Sequence, residues 1–87
     1  NPGSSYTTSM PFCIATAVSL MGFNVEEAVL AATLGGAMAL RRTDIGKIAP
    51  GFQADMTLLN SDSYIHLAYR PGVDQIEQVW RNGTRIK

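Results

Sequence analysis

The chain has 87 residues, 46% hydrophobic and 16% charged, a composition that belongs to a folded domain and excludes a disordered or collagen-like segment. Seven Lys plus Arg balance seven Asp plus Glu, so no net field gathers nucleic acid or anionic lipid around it. A single cysteine, Cys13, excludes an internal disulfide and a cysteine-based zinc site.

The charges are unevenly placed: none falls between Asn1 and Val25, and all fourteen (seven plus seven) lie from Glu26 onward. Such an uncharged opening implies burial. It lacks the basic flank of a signal peptide, and the apolar run from Phe12 to Phe23 is shorter than the roughly 20 residues a membrane span needs. The start Asn-Pro-Gly, without Met, is what a fragment or a processed product would show. At this size folding is marginal unless contacts from outside the chain add stability.

Asn1 to Ser9 is dense in turn-forming residues and reads as a loop. Ser9 is a cap and Pro11 a first-turn residue for a helix from about Met10 to Met21, closed by Gly22. Its apolar residues surround the axis, leaving Thr16 and Ser19 as a thin polar strip, so the expectation is burial all round. Asn24 followed by Glu27 predicts a capping box for a second helix. Thr33 is then expected to cap a short helix, Leu34 to Leu40. Gly35 and Gly36, costing about 1 kcal/mol each in a helix, predict a break or a close approach there.

Beyond Arg42 the pattern changes to short strands. Ile45 to Ile48, the turn Pro50-Gly51 and Met56 to Leu59 suggest a hairpin. His66 to Tyr69 suggests a helical turn, and Pro71-Gly72 a second turn. Ile76 to Arg81 and Thr84 to Lys87 flank Asn82-Gly83, the strongest short hairpin signal, because both turn positions need positive φ. The fold class is therefore α+β, with a border near Arg42 to Asp44.

Candidate chemistry is sparse. One His, one Cys and scattered carboxylates do not make the three converging ligands that zinc catalysis needs. His66 reads as structural or solvated, and Cys13, in an apolar helix, as a buried inert thiol. Asp55 is placed to accept from turn N–H groups or to pair with Lys47. The five arginines read as a solvated face. Asn1-Pro2-Gly3-Ser4-Ser5 combines an amide, a glycine that admits ligand to the backbone, and two hydroxyls, which suit either a carboxylate or amide ligand or a plain turn.

Three stretches carry a family resemblance. Gly46-Lys47-Ile48-Ala49-Pro50-Gly51-Phe52-Gln53-Ala54-Asp55, with the strand that follows, resembles the segment by which amidohydrolase-superfamily enzymes re-enter their small β-domain after the catalytic barrel. Val79-Trp80-Arg81-Asn82-Gly83 resembles their last hairpin, and Glu26-Glu27-Ala28 with Ala31-Ala32-Thr33 the helices after the eighth barrel strand. Asn1-Pro2-Gly3-Ser4-Ser5, Ser9-Met10-Pro11, Leu67-Ala68-Tyr69-Arg70 and Gly72-Val73 are similar to the imidazolonepropionase family more narrowly.

The resemblance implies that residues 1–43 are the last loop and helices of a metal-dependent (β/α)8 barrel, and 44–87 the C-terminal strands of a composite β-sandwich domain. It implies a cytoplasmic hydrolase that opens the ring amide of 4-imidazolone-5-propanoate to N-formimidoyl-L-glutamate in histidine degradation, through water activated by zinc or iron. The metal ligands and acid/base groups would lie upstream of Asn1, so this segment alone would be inactive. Asn1 and Gly3 match positions contacting the product, and Ser4 one contacting the substrate. The remainder of the parent chain and a second subunit of a homodimer are the implied partners. Another cyclic amidohydrolase or deaminase of the superfamily, or a non-catalytic binding module, are the alternatives.

Overall fold

A computed structural model describes residues 8–87. Asn1, Gly3 and Ser4 lie outside the described residues.

Helix α1, Met10–Leu20, starts where the sequence predicts. The Phe12 amide donates to the Ser9 hydroxyl at 3.3 Å, and Pro11 occupies the first turn, where no helical partner for its nitrogen is lost. Gly22 ends it with φ of 75°, letting the Phe23 amide turn back to the Ala17 carbonyl. Burial departs from expectation. Ile14 and Ala15 are buried, whereas Met10, Phe12 and Leu20 are exposed, Leu20 by 81%. Among the described residues α1 meets neighbours on one side, from α2 and α4, and nothing covers its other apolar faces.

Helix α2, Val25–Leu30, carries the predicted capping box: the Glu27 amide donates to Asn24 Oδ1 at 2.8 Å and the Asn24 amide to Glu27 Oε1 at 3.1 Å. The next stretch corrects the sequence reading. Thr33 caps nothing; its hydroxyl donates back to the Val29 carbonyl at 2.8 Å, inside a π-helical turn, Ala31–Gly35, that runs on into α3, Gly36–Ala39. Gly35 ends the widened turn and Gly36 opens α3 without a break, because each keeps helical φ near −60°.

The expected hairpin through Ile45 to Ile48 is absent: residues 43–55 contain bends and turns, with no strand. Gly46 has φ of 100° and lies against the π turn, a conformation a ladder cannot accommodate. Strand β1, Met56–Leu59, pairs instead with β2, Ile76–Arg81, and β3, Thr84–Arg85, completes an antiparallel sheet of order β1-β2-β3. Met56 opposes Trp80, and a bulge between Leu58 and Leu59 shifts the register so that Leu59 opposes Ile76. The β2–β3 turn is as predicted, with φ of 49° at Asn82 and 79° at Gly83.

Between β1 and β2 stands the short helix α4, His66–Tyr69. Its Leu67 joins Ile14 of α1 and Ala28 of α2 in the buried cluster, with Leu59 of the sheet packed against it. The core therefore sits where both halves of the chain meet, and it is small, made among the described residues of six buried apolar residues of which four are alanine. No helix among the described residues is long and apolar enough to cross a membrane.

Candidate functional site

Three segments border the larger hollow, of about 520 Å³. The first turn of α1 supplies Ser9, Pro11 and Phe12; α4 supplies Leu67; Arg70 and the loop through Ile76 close the other side. Segments that carry the narrower family resemblance thus converge, since Ser9 and Pro11 face the same space as Leu67, Arg70, Gly72 and Val73. They are about sixty residues apart in sequence, and the packing of α1 on α4 joins them.

Gln75 forms part of that wall and was not singled out from sequence. It is the buried polar side chain among the described residues, 3% exposed. Its Nε2 donates to the His66 carbonyl at 2.8 Å and the Arg70 carbonyl at 3.1 Å, a second bond to oxygens that also accept from the Arg70 amide at 2.9 Å and the Val73 amide at 3.4 Å. Its backbone carbonyl accepts from the Asn60 amide at 2.9 Å, just past β1. A lone Gln before a strand carries no sequence signal for such a role.

The hollow holds no acid–base pair. Arg70 and Asp74 are its charged lining residues, Arg70 exposed and Asp74 taken up by the Ile76 amide at 3.1 Å and Lys87 Nζ at 3.4 Å, and the other walls are mainly Pro, Phe, Leu, Val and Ile side chains. It can bind and orient; it cannot by itself activate water. A smaller hollow of about 220 Å³ runs between α1 and α2, lined by Met10, Cys13, Ile14, Ala17, Phe23, Ala28, Ala31 and Ala32. Cys13, expected buried, is exposed on its edge, because small alanines on the facing helix leave the thiol uncovered.

The remaining sequence candidates have structural partners. His66 Nε2 stands 3.6 Å from an Asp62 carboxylate oxygen at the entry to α4. Arg42 grips Asp44 through two bonds, of 2.7 and 2.9 Å, which raises the guanidinium and lowers the carboxyl relative to their ordinary values. Lys47 lies over the Phe52 ring, 4.9 Å from its centroid. It does not meet Asp55. Among the described residues no group of three or more His, Cys, Asp or Glu side chains is arranged to hold a metal ion.

Asp55 ties the entry of the sheet to its last turn. It accepts from Gln53 Nε2 and, at 2.8 Å, from the Asn82 amide, while the Gly83 amide donates to the Ala54 carbonyl. The Gln53 amide and then the Asn82 N–H hold its carboxyl below the ordinary 3.8. The sign follows: a carboxyl depressed in the folded state contributes stability that is complete above its unfolded pKa and lost as pH falls through its folded one. The wild-type chain should therefore lose stability relative to Asp55→Asn as pH drops below about 4. Thermal midpoints of both proteins across that range check this; parallel curves would remove Asp55 from the account.

Comparisons with known proteins cover the whole described fold. The model of the amidohydrolase family matches residues 3–86. The chain is 60% identical over 86 residues to the imidazolonepropionase of Streptomyces griseus subsp. griseus, covering 99% of the chain and 22% of that protein. It is 63% identical over 84 residues to that of Salinispora tropica, covering 97% of the chain and 21% of the relative. With the imidazolonepropionase of Mycolicibacterium smegmatis the identity is 61% over 86 residues, again 99% and 22%. The chain thus spans about a fifth of the length of the relatives it matches. With the family model matching from residue 3 to residue 86, through α1 to α4 and the three strands, the chain belongs to the amidohydrolase family.

Proposed function

We propose that this chain is the C-terminal portion of an imidazolonepropionase, a cytoplasmic hydrolase of histidine degradation that opens the ring amide of 4-imidazolone-5-propanoate to N-formimidoyl-L-glutamate. The observation that carries the reading is identity of about 60% to proteins of that name from end to end of the chain. Residues 1–43 are then the loop after the eighth strand of a (β/α)8 barrel together with its last helices. Residues 44–87 are the closing strands of a composite β-sandwich, completed by strands from the rest of the parent.

The exposed apolar residues of α1 support the reading that the chain is part of a longer parent, because Met10, Phe12 and Leu20 need a cover that the described residues do not provide. A homodimer is the assembly proposed. The reading implies a zinc or iron ion, and the described residues do not fit one. Its ligands are assigned upstream of Asn1, and no step is derived through it.

Asn1, Gly3 and Ser4 are proposed to bind the ligand at the C-terminal face of the barrel, where barrel enzymes hold their substrates. The Asn1 amide both donates and accepts, Gly3 admits ligand beside the backbone, and Ser4 adds a hydroxyl donor. These groups orient the ring and its carboxylate without activating water. In the full-length protein, Asn1→Ala or Ser4→Ala should lower kcat/KM on 4-imidazolone-5-propanoate by about fivefold or more, the loss of one such hydrogen bond, with metal content unchanged. Wild-type kinetics in both variants would return the motif to a plain turn. Turnover of dihydropyrimidine or guanine substrates alone, by the unmodified full-length protein, would replace the assignment with another member of the family.

A further inference from the structure

The hollow between the first turn of α1 and the loop 70–76 is apolar at its centre, where Phe12, Leu67, Val73 and Ile76 line it, and charged at its edge. Phe12 and Val73 stand about half exposed there, at 52% and 49%. Of the two charged lining residues, Asp74 already accepts from the Ile76 amide and Lys87 Nζ. The Arg70 guanidinium is exposed and enters no ion pair among the described residues. An apolar centre beside an unpaired arginine is how surfaces that meet other protein are built, whereas a small-ligand pocket brings several polar groups to converge on its occupant.

The occupant follows from charge and length. No charged residue falls between Asn1 and Val25, and none of the carboxylates from Glu26 onward pairs with Arg70, so a counter-ion for it has to come from beyond these 87 residues. The chain spans 22% of the Streptomyces griseus relative, so most of a parent of that length lies outside it. A second copy fits poorly. A two-fold contact sets a patch against itself, which here would bring Arg70 towards Arg70 with Asp74 already committed.

We propose that in the full-length protein this hollow seats a segment lying upstream of Asn1, apolar where it meets Phe12 and Val73 and carrying an Asp or Glu whose carboxylate pairs with Arg70. The proposal rests on the reading of the chain as the C-terminal portion of a longer protein and adds the surface by which the upstream portion locks onto it. One wall of the hollow is α1 and the other leads into β2, so a segment held there ties both halves of the chain together. Because cover and hollow belong to one polypeptide, the local concentration of the cover is on the order of millimolar, and a modest contact suffices.

The test uses the purified full-length protein. Val73→Cys places a thiol on the wall of the hollow, and its labelling by a maleimide is followed by peptide mass spectrometry. Labelling in native buffer should be at least about tenfold slower than in urea, at every protein concentration tried. In that background Arg70→Glu should raise the native rate about fivefold by setting like charges together, and Arg70→Lys should leave it near that of Val73→Cys alone. A native rate closer to the urea rate means an open hollow and overturns the proposal. Protection that disappears on dilution would come from a second copy, protection that needs added acetate from a bound carboxylate ligand, and protection indifferent to Arg70→Glu from a cover without the carboxylate; each overturns it as well. Should Val73→Cys fail to fold, Phe12→Cys on the opposite wall takes its place with the same expectations. Intact mass separates this outcome from the reading beneath it: a natural product of 9.4 kDa ends that reading, whereas a longer protein with an open hollow ends only the proposal.

Discussion

Replacing Gly46 by alanine is expected to destabilise the full-length protein by about 2–4 kcal/mol, the sum of a strained backbone and a blocked approach. The residue has φ of 100°, a conformation L side chains rarely adopt. A Cβ there would stand 3.0 Å from the Ala37 Cβ, 3.0 Å from the Leu34 Cα and 3.3 Å from the Thr33 carbonyl oxygen. The crowding atoms are backbone or the first carbon of a side chain, so no flexible tip can swing aside. Relief would require the loop to lift off the π turn. Gly83→Ala makes the comparison internal: φ is 79° but nothing lies within 4 Å, so only the conformational term of about 1 kcal/mol remains. Urea midpoints of the two variants measure the difference. Equal losses would mean that the close approach of Gly46 to the helix adds nothing to the strain.

Leu67→Ala should cost about 2–4 kcal/mol, and Leu67→Met less than about 1.5. Leu67 is 8% exposed and is the large side chain that α4 contributes to the cluster of Ile14 and Ala28. Its surroundings are short of volume: Ala17, Ala28 and Ala32 belong to or pack against the same cluster, and none can extend to fill the space. The cavity therefore stays open and the full penalty is felt. Because the same contact seats α1, the alanine variant should also speed amide exchange in the first turn of that helix. A loss below about 1 kcal/mol would show that the packing of α4 on α1 is not what stabilises the junction.

Local chemistry was legible where a few neighbouring residues determine the outcome. Ser9 and Pro11 start α1; Asn24 and Glu27 close a capping box at bonds of 2.8 and 3.1 Å; Asn82 and Gly83 take the two positive φ values that their turn requires. Each depends on contacts within about four residues, so propensity and side-chain chemistry suffice. The turn-binding option for Asp55 proved right for a related reason, since a carboxylate before a strand finds backbone N–H groups more readily than a mobile lysine. The family, too, was legible from motifs distributed along the chain, and the match over residues 3–86 agrees.

Other readings failed where a distant partner decides. Ile45 and Ile48 have strand-like neighbours, but Gly46 answers to the π turn about ten residues earlier and leaves the ladder to β1 and β2. Thr33 has the chemistry of a cap, but the helix arrives from Leu30 with its hydrogen bonds intact, and the hydroxyl turns inward to Val29. Cys13 and Phe12 look buried by composition, yet burial is a property of what packs against them.

By itself the sequence determined the starts of α1 and α2, the hairpin turn, the α+β class and the family, all set by short-range bonding or by residue identity along the chain. Only the tertiary structure decided that Ser9 and Pro11 share a hollow with Leu67, Arg70 and Val73, and that Gln75 ties α4 to the sheet. Contacts across sixty residues leave no periodicity or spacing in the sequence; they exist once apolar burial has brought α1 and α4 together, and the buried amide then selects one arrangement of what that burial permits.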